Sequence, residues 1–208
     1  MNSASIAGAT GLVGAKLLFE QSIPRPALAW VRRPTPLPDG IQPVVSESIP
    51  AVDDTFWKSD VLFVALGTTI AKAGSQEAFE AVDLHLVLEC ARRAREAGCS
   101  TLALVSAMGA DPDSRIFYNR VKGRAEQAVL ELGFPRVAIA RPSLLLGDRK
   151  EFRLGEWIAR HAARPIRWAF PKPIRPVRDI EVAHALATTA FDKNWSGVRI
   201  LSNRDMVA

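Results

Sequence analysis

Met1-Asn2-Ser3-Ala4-Ser5-Ile6-Ala7-Gly8-Ala9-Thr10-Gly11-Leu12-Val13-Gly14 is the stretch on which the fold turns. Met1 to Ala7 is short, small and apolar, as a buried strand is. Gly8, Gly11 and Gly14 follow at a spacing of three, and Ala15 to Glu20 reads as a helix. A strand, a glycine turn and a helix in that order are the setting of a dinucleotide-binding fingerprint, here spaced GxxGxxG rather than GxGxxG. Each glycine has a separate task. Gly8 lets the chain leave the strand sharply, Gly11 lets backbone approach a pyrophosphate, and Gly14 lets the helix pack closely. The free N–H groups at the helix start would then face the phosphates. A glycine-rich turn without a ligand is the plain alternative.

Strand and helix continue to alternate. Ala27–Val31 reads as a second strand and Ile41–Val45 as a third, in a region that holds half of the 14 prolines. Asp60–Gly67 is a near-continuous apolar run, suited to a strand covered on both faces. Gln76–Ala97 is the strongest helix, with Phe79, Val82, Leu86 and Cys90 at helical spacing and Gly98 as its stop. A strand at Thr101–Ser106, a helix at Tyr118–Leu132 closed by Gly133, and a strand at Arg136–Ala140 follow. Glu151–Ala163 is amphipathic, Asp179–Asp192 reads as a helix capped by Asp179, and Val198–Leu201 as a last strand. The expectation is one α/β domain over residues 1–208, a doubly wound parallel sheet, with about 145–208 forming a small substrate-side cap.

Composition excludes several classes. The 208 residues are 48% hydrophobic and 24% charged, as in an ordinary globular chain. No apolar run nears the ~18 residues of a membrane span, and no signal-peptide pattern stands at the N-terminus. Cys90 and Cys99 make no disulfide framework and read as packing residues, while His85, His161 and His184 lack ligand spacing. From these the expectation is a cytoplasmic protein without a structural metal. The net charge is +5. Residues 141–178 carry ten Lys/Arg against three acids, a field that suits an anion. With no interleaved aromatics, a solvated basic face is preferred to nucleic-acid binding.

In open α/β sheets ligands bind beyond the carboxyl ends of the strands. Those ends are Gly8–Gly14, Arg32-Arg33, Leu66-Gly67-Thr68, Ser106 and Arg141-Pro142-Ser143. Arg32 and Arg33 stand where an NAD-binding chain has an acid, and two guanidinium groups can clamp a 2′-phosphate, which points to NADP(H). Tyr118 and Lys122 form YxxxK, one helical turn apart on one face. An ammonium near a phenol stabilises the phenolate; the lysine can also hold a ribose hydroxyl, and Ser106 can bond a substrate carbonyl. Tyr118 is the only tyrosine in the chain. Asp83, near the apolar stripe of the long helix, is read as the partner of a neighbouring arginine rather than as part of the site.

These motifs together, Gly8 to Gly14, Leu66-Gly67-Thr68-Thr69, Ser106 to Ala110, Tyr118-x-x-x-Lys122 and Arg141-Pro142-Ser143, resemble the atypical short-chain dehydrogenase/reductases, in the branch of the NADPH-binding Tat-interacting protein. The resemblance implies a Rossmann fold with the cofactor lying across Gly8, Thr10, Gly11, Leu12, Val13 and Gly14, then Arg32, Gly67 and Tyr118–Lys122. It also implies backbone contacts from Pro142, Ser143 and Leu144 at the nicotinamide end. The activity implied is NADP(H)-dependent reduction of a small carbonyl or oxidation of an alcohol. The alternative is an NADPH-binding regulator with little turnover, contacting another protein or a second copy of itself.

Overall fold

In a computed structural model of the chain, residues 3–146, 171 and 174–207 are described. The amphipathic stretch Glu151–Ala163, His161 and most of the basic run 141–178 lie outside the described residues.

The elements in order are β1 (Ala4–Ala7), α1 (Leu12–Leu17), β2 (Ala27–Val31), β3 (Ile41–Val45), a short 3₁₀ turn (Ile49–Ala51), α2 (Asp54–Trp57), β4 (Val61–Val64) and α3 (Ile70–Ala73). Next come α4 (Gln76–Glu80), a π-turn (Ala81–Leu86) and α5 (Val87–Glu96), which follow one another without a break. Then follow β5 (Thr101–Val105), α6 (Phe117–Leu130), β6 (Arg136–Ala140), β7 (Leu145–Leu146), β8 (Val177–Arg178), α7 (Asp179–Phe191), β9 (Gly197–Leu201) and α8 (Asn203–Met206). Seven strands form one sheet in the order β3-β2-β1-β4-β5-β6-β9, every pairing parallel. This is the doubly wound Rossmann arrangement. The order reverses between β1 and β4, so the crevice for a ligand opens at the ends of those two strands.

The period of two along each strand divides the core into two layers. Ala4, Ile6, Val61, Phe63, Ala103, Ala138 and Ala140 face α1 and α7, among Val13, Leu17, Val182 and Leu186. Ala7, Leu62, Val64, Leu102, Leu104, Val137 and Ile139 face the other way, against Phe56, Trp57, Val87, Cys90 and Val129. All four residues of β4 are buried, which is why its run is continuously apolar. Fully burying side chains of this size contributes about 1.5–3 kcal/mol each. Asp60 fastens the start of β1 to β4, accepting from Ser3 N at 2.7 Å and Ser3 Oγ at 2.8 Å.

Several elements depart from the expected ones. The first helix begins at Leu12, not Ala15, because Gly11 itself is its N-cap. Asp179 is the first residue of α7 and Arg178 the N-cap, whose backbone N–H is taken by Glu181 Oε2 at 2.7 Å. The long helix carries a π-turn, and its buried side is Phe79, Asp83, Leu84, Val87, Cys90, Ala91 and Ala94, whereas Val82 and Leu86 are half-buried. Residues 179–206, expected with the substrate-side cap, return to the main body. There α7 supplies core side chains and β9 joins the sheet beside β6. The only described strands outside that sheet are the short parallel pair β7–β8.

Candidate functional site

The glycine turn is built so that no other residue fits at two of its positions. Gly8 has φ +90°, and a Cβ there would lie 2.5 Å from Ala65 O, on the exit of β4. A Cβ on Gly14 would stand 2.0 Å from Gly8 O. The turn is therefore folded back on itself and pressed against the neighbouring strand. Gly11 closes it, donating its N–H to Gly8 O at 2.9 Å. Thr10 is exposed, Leu12 half-buried, and the Val13 side chain points into the core, so Val13 can offer only backbone to a ligand. The first turn of α1 leaves N–H groups without partners inside the helix.

Arg32 and Arg33 follow β2 directly and are both exposed, with no ion pair among the described residues. They stand at the carboxyl end of β2, beside β1 in the sheet.

On the other side of the crevice stand the β4 and β5 exits. Ser106 is 5% exposed, and its backbone N–H donates to Ala140 O at 2.8 Å. Its Oγ is buried with no hydrogen-bond partner among the described residues. A buried hydroxyl left unbonded costs free energy, and Thr101 Oγ1 and Trp57 Nε1 share that condition elsewhere in the fold. Tyr118 opens the second position of α6, half-buried, its ring 5.6 Å from that of Phe79. Lys122, one turn on, is buried. Its Nζ lies 2.7 Å from Asp83 Oδ1, while Asp83 Oδ2 accepts the Thr68 N–H at 2.8 Å.

That pairing corrects the reading of Asp83 as an arginine's partner. The carboxylate is 1% exposed and belongs to the site. The local sequence concealed this. Asp83 stands four residues after Phe79 and four before Val87, on the buried face at ordinary helical spacing, but the sequence does not show that its partner is a lysine on another helix.

The loop after β6 is held by its own bonds. Ser143 N donates to Asn203 Oδ1 at 2.9 Å and Ser143 Oγ to Arg175 O at 2.6 Å, while Asn203 Nδ2 also reaches Arg175 O at 2.7 Å. Pro142 is buried, its carbonyl accepting from Met108 N, and Leu144 is exposed. Ser143 thus ties the loop to the C-terminal elements, leaving Leu144 and Met108 at the rim. Arg141 lies across α6, its guanidinium on both oxygens of the buried Glu126, with Nε at 3.1 Å from each. Glu126 and Asn203 went unsingled in the sequence. Glu126 gives a faint signal as an acid one turn beyond Lys122 on the same face; Asn203 gives none.

Leu66, Gly67 and Thr68 run along the mouth between the glycine turn and Lys122, with a Cβ on Gly67 placed 3.4 Å from Asp83 Oδ1. The strand ends named from the sequence therefore lie along one edge of the parallel sheet. Among the described residues no cluster of His, Cys, Asp and Glu could hold a metal ion, and no helix is long and apolar enough to cross a membrane.

No family model matches the chain. Curated relatives do. FMP52 of Debaryomyces hansenii is 39% identical over 156 residues, covering 72% of this chain and 69% of its own. FMP52 of Saccharomyces cerevisiae is 34% identical over 225 residues, covering 97% and 94%. HTATIP2 of Rattus norvegicus is 38% identical over 151 residues, covering 72% and 61%. Among solved structures, MoeE5 in complex with UDP-glucose and NAD superposes with a TM-score of 0.72 at 15% identity, over 96% of this chain and 75% of that one. The oxidoreductase ylbE of Lactococcus lactis does so at 0.67 and 16%, over 98% and 94%. At such identities these two speak for the fold. The FMP52 relatives are named as mitochondrial proteins, which overturns the expectation of a cytoplasmic one. Cysteine usage reads redox state, and a reducing environment is not one compartment.

Proposed function

The chain belongs to the atypical short-chain dehydrogenase/reductases, with FMP52 and HTATIP2 among its relatives, and from that premise we propose that it is an NADP(H)-dependent oxidoreductase acting on a small carbonyl or alcohol. The observation that carries this reading is the orphaned Ser106 hydroxyl, buried at the end of β5 in the same crevice as the Lys122 ammonium and the glycine turn. Thr101 Oγ1 and Trp57 Nε1 are buried and unbonded as well, so it is the placement of Ser106 at a strand end beside the glycine turn that supports the reading.

The residues fit a dinucleotide. The glycine turn offers backbone where the pyrophosphate must approach, Arg32 and Arg33 offer two exposed guanidinium groups for a 2′-phosphate, and Lys122 offers donors to a ribose. When bound, NADPH supplies the hydride. The chain's own part is to hold and protonate the substrate. Ser106 Oγ donates a hydrogen bond to the carbonyl oxygen and Tyr118 gives that oxygen its phenolic proton as negative charge develops there. Lys122, on the next turn, keeps positive charge beside the phenolate that results. Met108 and Leu144, exposed at the rim, offer an apolar entrance to the substrate.

The test is NADPH oxidation across aldehydes, ketones and quinones, on the wild type and on Tyr118→Phe. Phenylalanine keeps the ring packed on Phe79 and removes only the transferable proton. Turnover on the best substrate should fall by ~10²–10⁴, the size of a lost general acid, with NADPH affinity almost unchanged. Full activity in the variant would remove Tyr118 from the chemistry. Tight NADPH binding with nothing reduced across the panel would replace the enzyme by the cofactor-binding regulator.

A further inference from the structure

We infer that the substrate is an uncharged carbonyl compound with a hydrocarbon body, of the class of medium-chain aliphatic aldehydes, whose chain lies on an apolar rim beside Ser106 and Tyr118. The inference rests on the oxidoreductase reading above and names the substrate class for the same site.

The rim is assembled from separate parts of the chain. The described residues expose eleven large apolar side chains, and five of them, Ile70, Met108, Ile116, Leu144 and Ile174, stand on the loops around the exits of β4, β5 and β6. Hydrogen bonds and packing draw these loops together. Met108 N donates to Pro142 O at 2.8 Å, which sets Met108 beside the Leu144 loop. Leu144 O accepts from Val177 N at 3.0 Å and Ser143 Oγ donates to Arg175 O at 2.6 Å, so the segment that holds Ile174 runs alongside. Ile116 is two residues before Tyr118, at the start of α6. Ala73, one turn on from Ile70, packs with Phe117 and Tyr118 on the cluster around Phe79. The Phe79 ring lies 5.8 Å from that of Phe117 and 5.6 Å from that of Tyr118, so the tyrosine stands on an aromatic floor.

Large apolar side chains left in water together mark a surface that a ligand covers. Ligand sites join such surfaces to a few placed polar groups. Here Ser106 and Tyr118 take the carbonyl oxygen, and the rest of the molecule meets the rim. Charge argues in the same direction. The loop 107–116 carries two acids, Asp111 and Asp113, against one arginine, Arg115. Two neighbouring arginines are engaged, Arg141 on both oxygens of Glu126, and Arg120 on Ser114 O at 2.8 Å, over the Phe117 ring. A carboxylate on the substrate tail would face the two acids of the loop. In the reaction hydride adds to the carbonyl carbon and the Tyr118 proton to its oxygen, so aldehyde, NADPH and a proton give alcohol and NADP⁺.

The test is kcat/KM with NADPH for butanal, hexanal, octanal and the ω-carboxylate analogue of octanal, on wild type, Met108→Gln/Ile116→Thr and Val198→Thr. Both rim changes keep the side chain's size or nearly so, and threonine suits the N-cap place that Ile116 holds. In the wild type kcat/KM should rise about two- to fourfold for each added methylene, the weight of a CH₂ partly or wholly taken from water. The carboxylate analogue should fall at least about tenfold below octanal, since a charge leaves water only when paired. The octanal-to-butanal ratio should drop at least about threefold in the double variant. It should hold in Val198→Thr, a comparably exposed side chain near the amino end of the sheet. Reduction with no dependence on chain length, or with the carboxylate preferred, overturns the inference and leaves the oxidoreductase reading standing. So does a ratio unchanged in the double variant. Should no aldehyde be reduced, calorimetry with butanamide and octanamide, inert carbonyl mimics, on the NADPH-loaded protein decides. Octanamide bound at least about tenfold tighter would uphold a hydrocarbon ligand and overturn the oxidoreductase reading. No preference between the two amides would overturn both.

Discussion

Burial raises the thiols of Cys90 and Cys99, to about 12 and about 11, because a thiolate in these apolar surroundings loses its hydration. Both cysteines are therefore inert packing residues. At pH 8 a disulfide reagent should label no thiol in the native protein and two in denaturant. The linkage has a definite sign. A thiol whose folded value lies above its ordinary 9.0 favours the folded state below that pH, and the advantage is lost as pH climbs through 11 toward 12. Urea midpoints taken from pH 8 to 11 should hold to about 9 and then fall, and the fall should be shallower in a Cys90→Ala/Cys99→Ala variant. Equal slopes would mean that the two thiols do not carry the alkaline loss. Ser106, Tyr118 and Lys122 are legible in the sequence because a strand end and a single helical turn fix their spacing. Asp83 is not, because its partner Lys122 stands in a different helix, and only the packed fold brings them together.

At the level of elements, several strands were legible to the residue, while the fully buried β4 was read three residues too long at its end. Ala27–Val31, Ile41–Val45 and Arg136–Ala140 run as their composition predicts. Helix phase was less legible: Val82 and Leu86, read as part of the apolar stripe, are half-buried, while Asp83 is buried. Residues 179–206 were assigned to a cap because alternation falters after 145, yet β9 pairs with β6, a partner far earlier in the chain. Long-range pairing of an edge strand leaves little trace in local pattern. Glycine placement was read well in the first turn and missed in α6. Gly123 lies directly after Lys122, and a Cβ there would stand 2.1 Å from Asp111 C and 2.2 Å from Pro112 N. These are backbone atoms and cannot rotate aside. Gly123→Ala must push α6 off the 111–112 turn, at a cost of about 3 kcal/mol or more. The denaturant midpoint should fall accordingly, and turnover with it, because Tyr118 and Lys122 ride on the same helix. Gly133→Ala is the control. Gly133 has open space around it and only a strained φ of +68°. Its substitution should cost about 1 kcal/mol. A Gly123→Ala variant no less stable than Gly133→Ala would show that the loop yields and that α6 is not fixed by this contact.

At the scale of the whole molecule, the proposed dinucleotide would be a folding ligand as well as a reactant. It would bridge the glycine turn, the β2 exit and α6, three places that meet only in the folded chain, so binding must stabilise the native state by mass action. The chain is basic overall, at +5, and an anionic ligand approaches a favourable field. On the proposed reading, what would separate NADPH from NADH is local: the two exposed guanidinium groups of Arg32 and Arg33, without an ion pair among the described residues. At about a hundredfold over its dissociation constant NADPH should add about 2.7 kcal/mol. For a domain of this size that is a rise in Tm of about 5–10 °C. One charge-assisted contact contributes about 1.5–3 kcal/mol, so NADH at the same concentration should give a rise smaller by about 3 °C or more. Arg32→Ala/Arg33→Ala should lower the NADPH shift to the NADH value and leave the NADH shift where it was. The difference should also shrink as salt is raised, since both guanidinium groups are solvent-exposed and screened. Equal shifts for the two nucleotides in the wild type would mean that the arginines meet water rather than a 2′-phosphate, and NADP(H) would have to be given up as the cofactor.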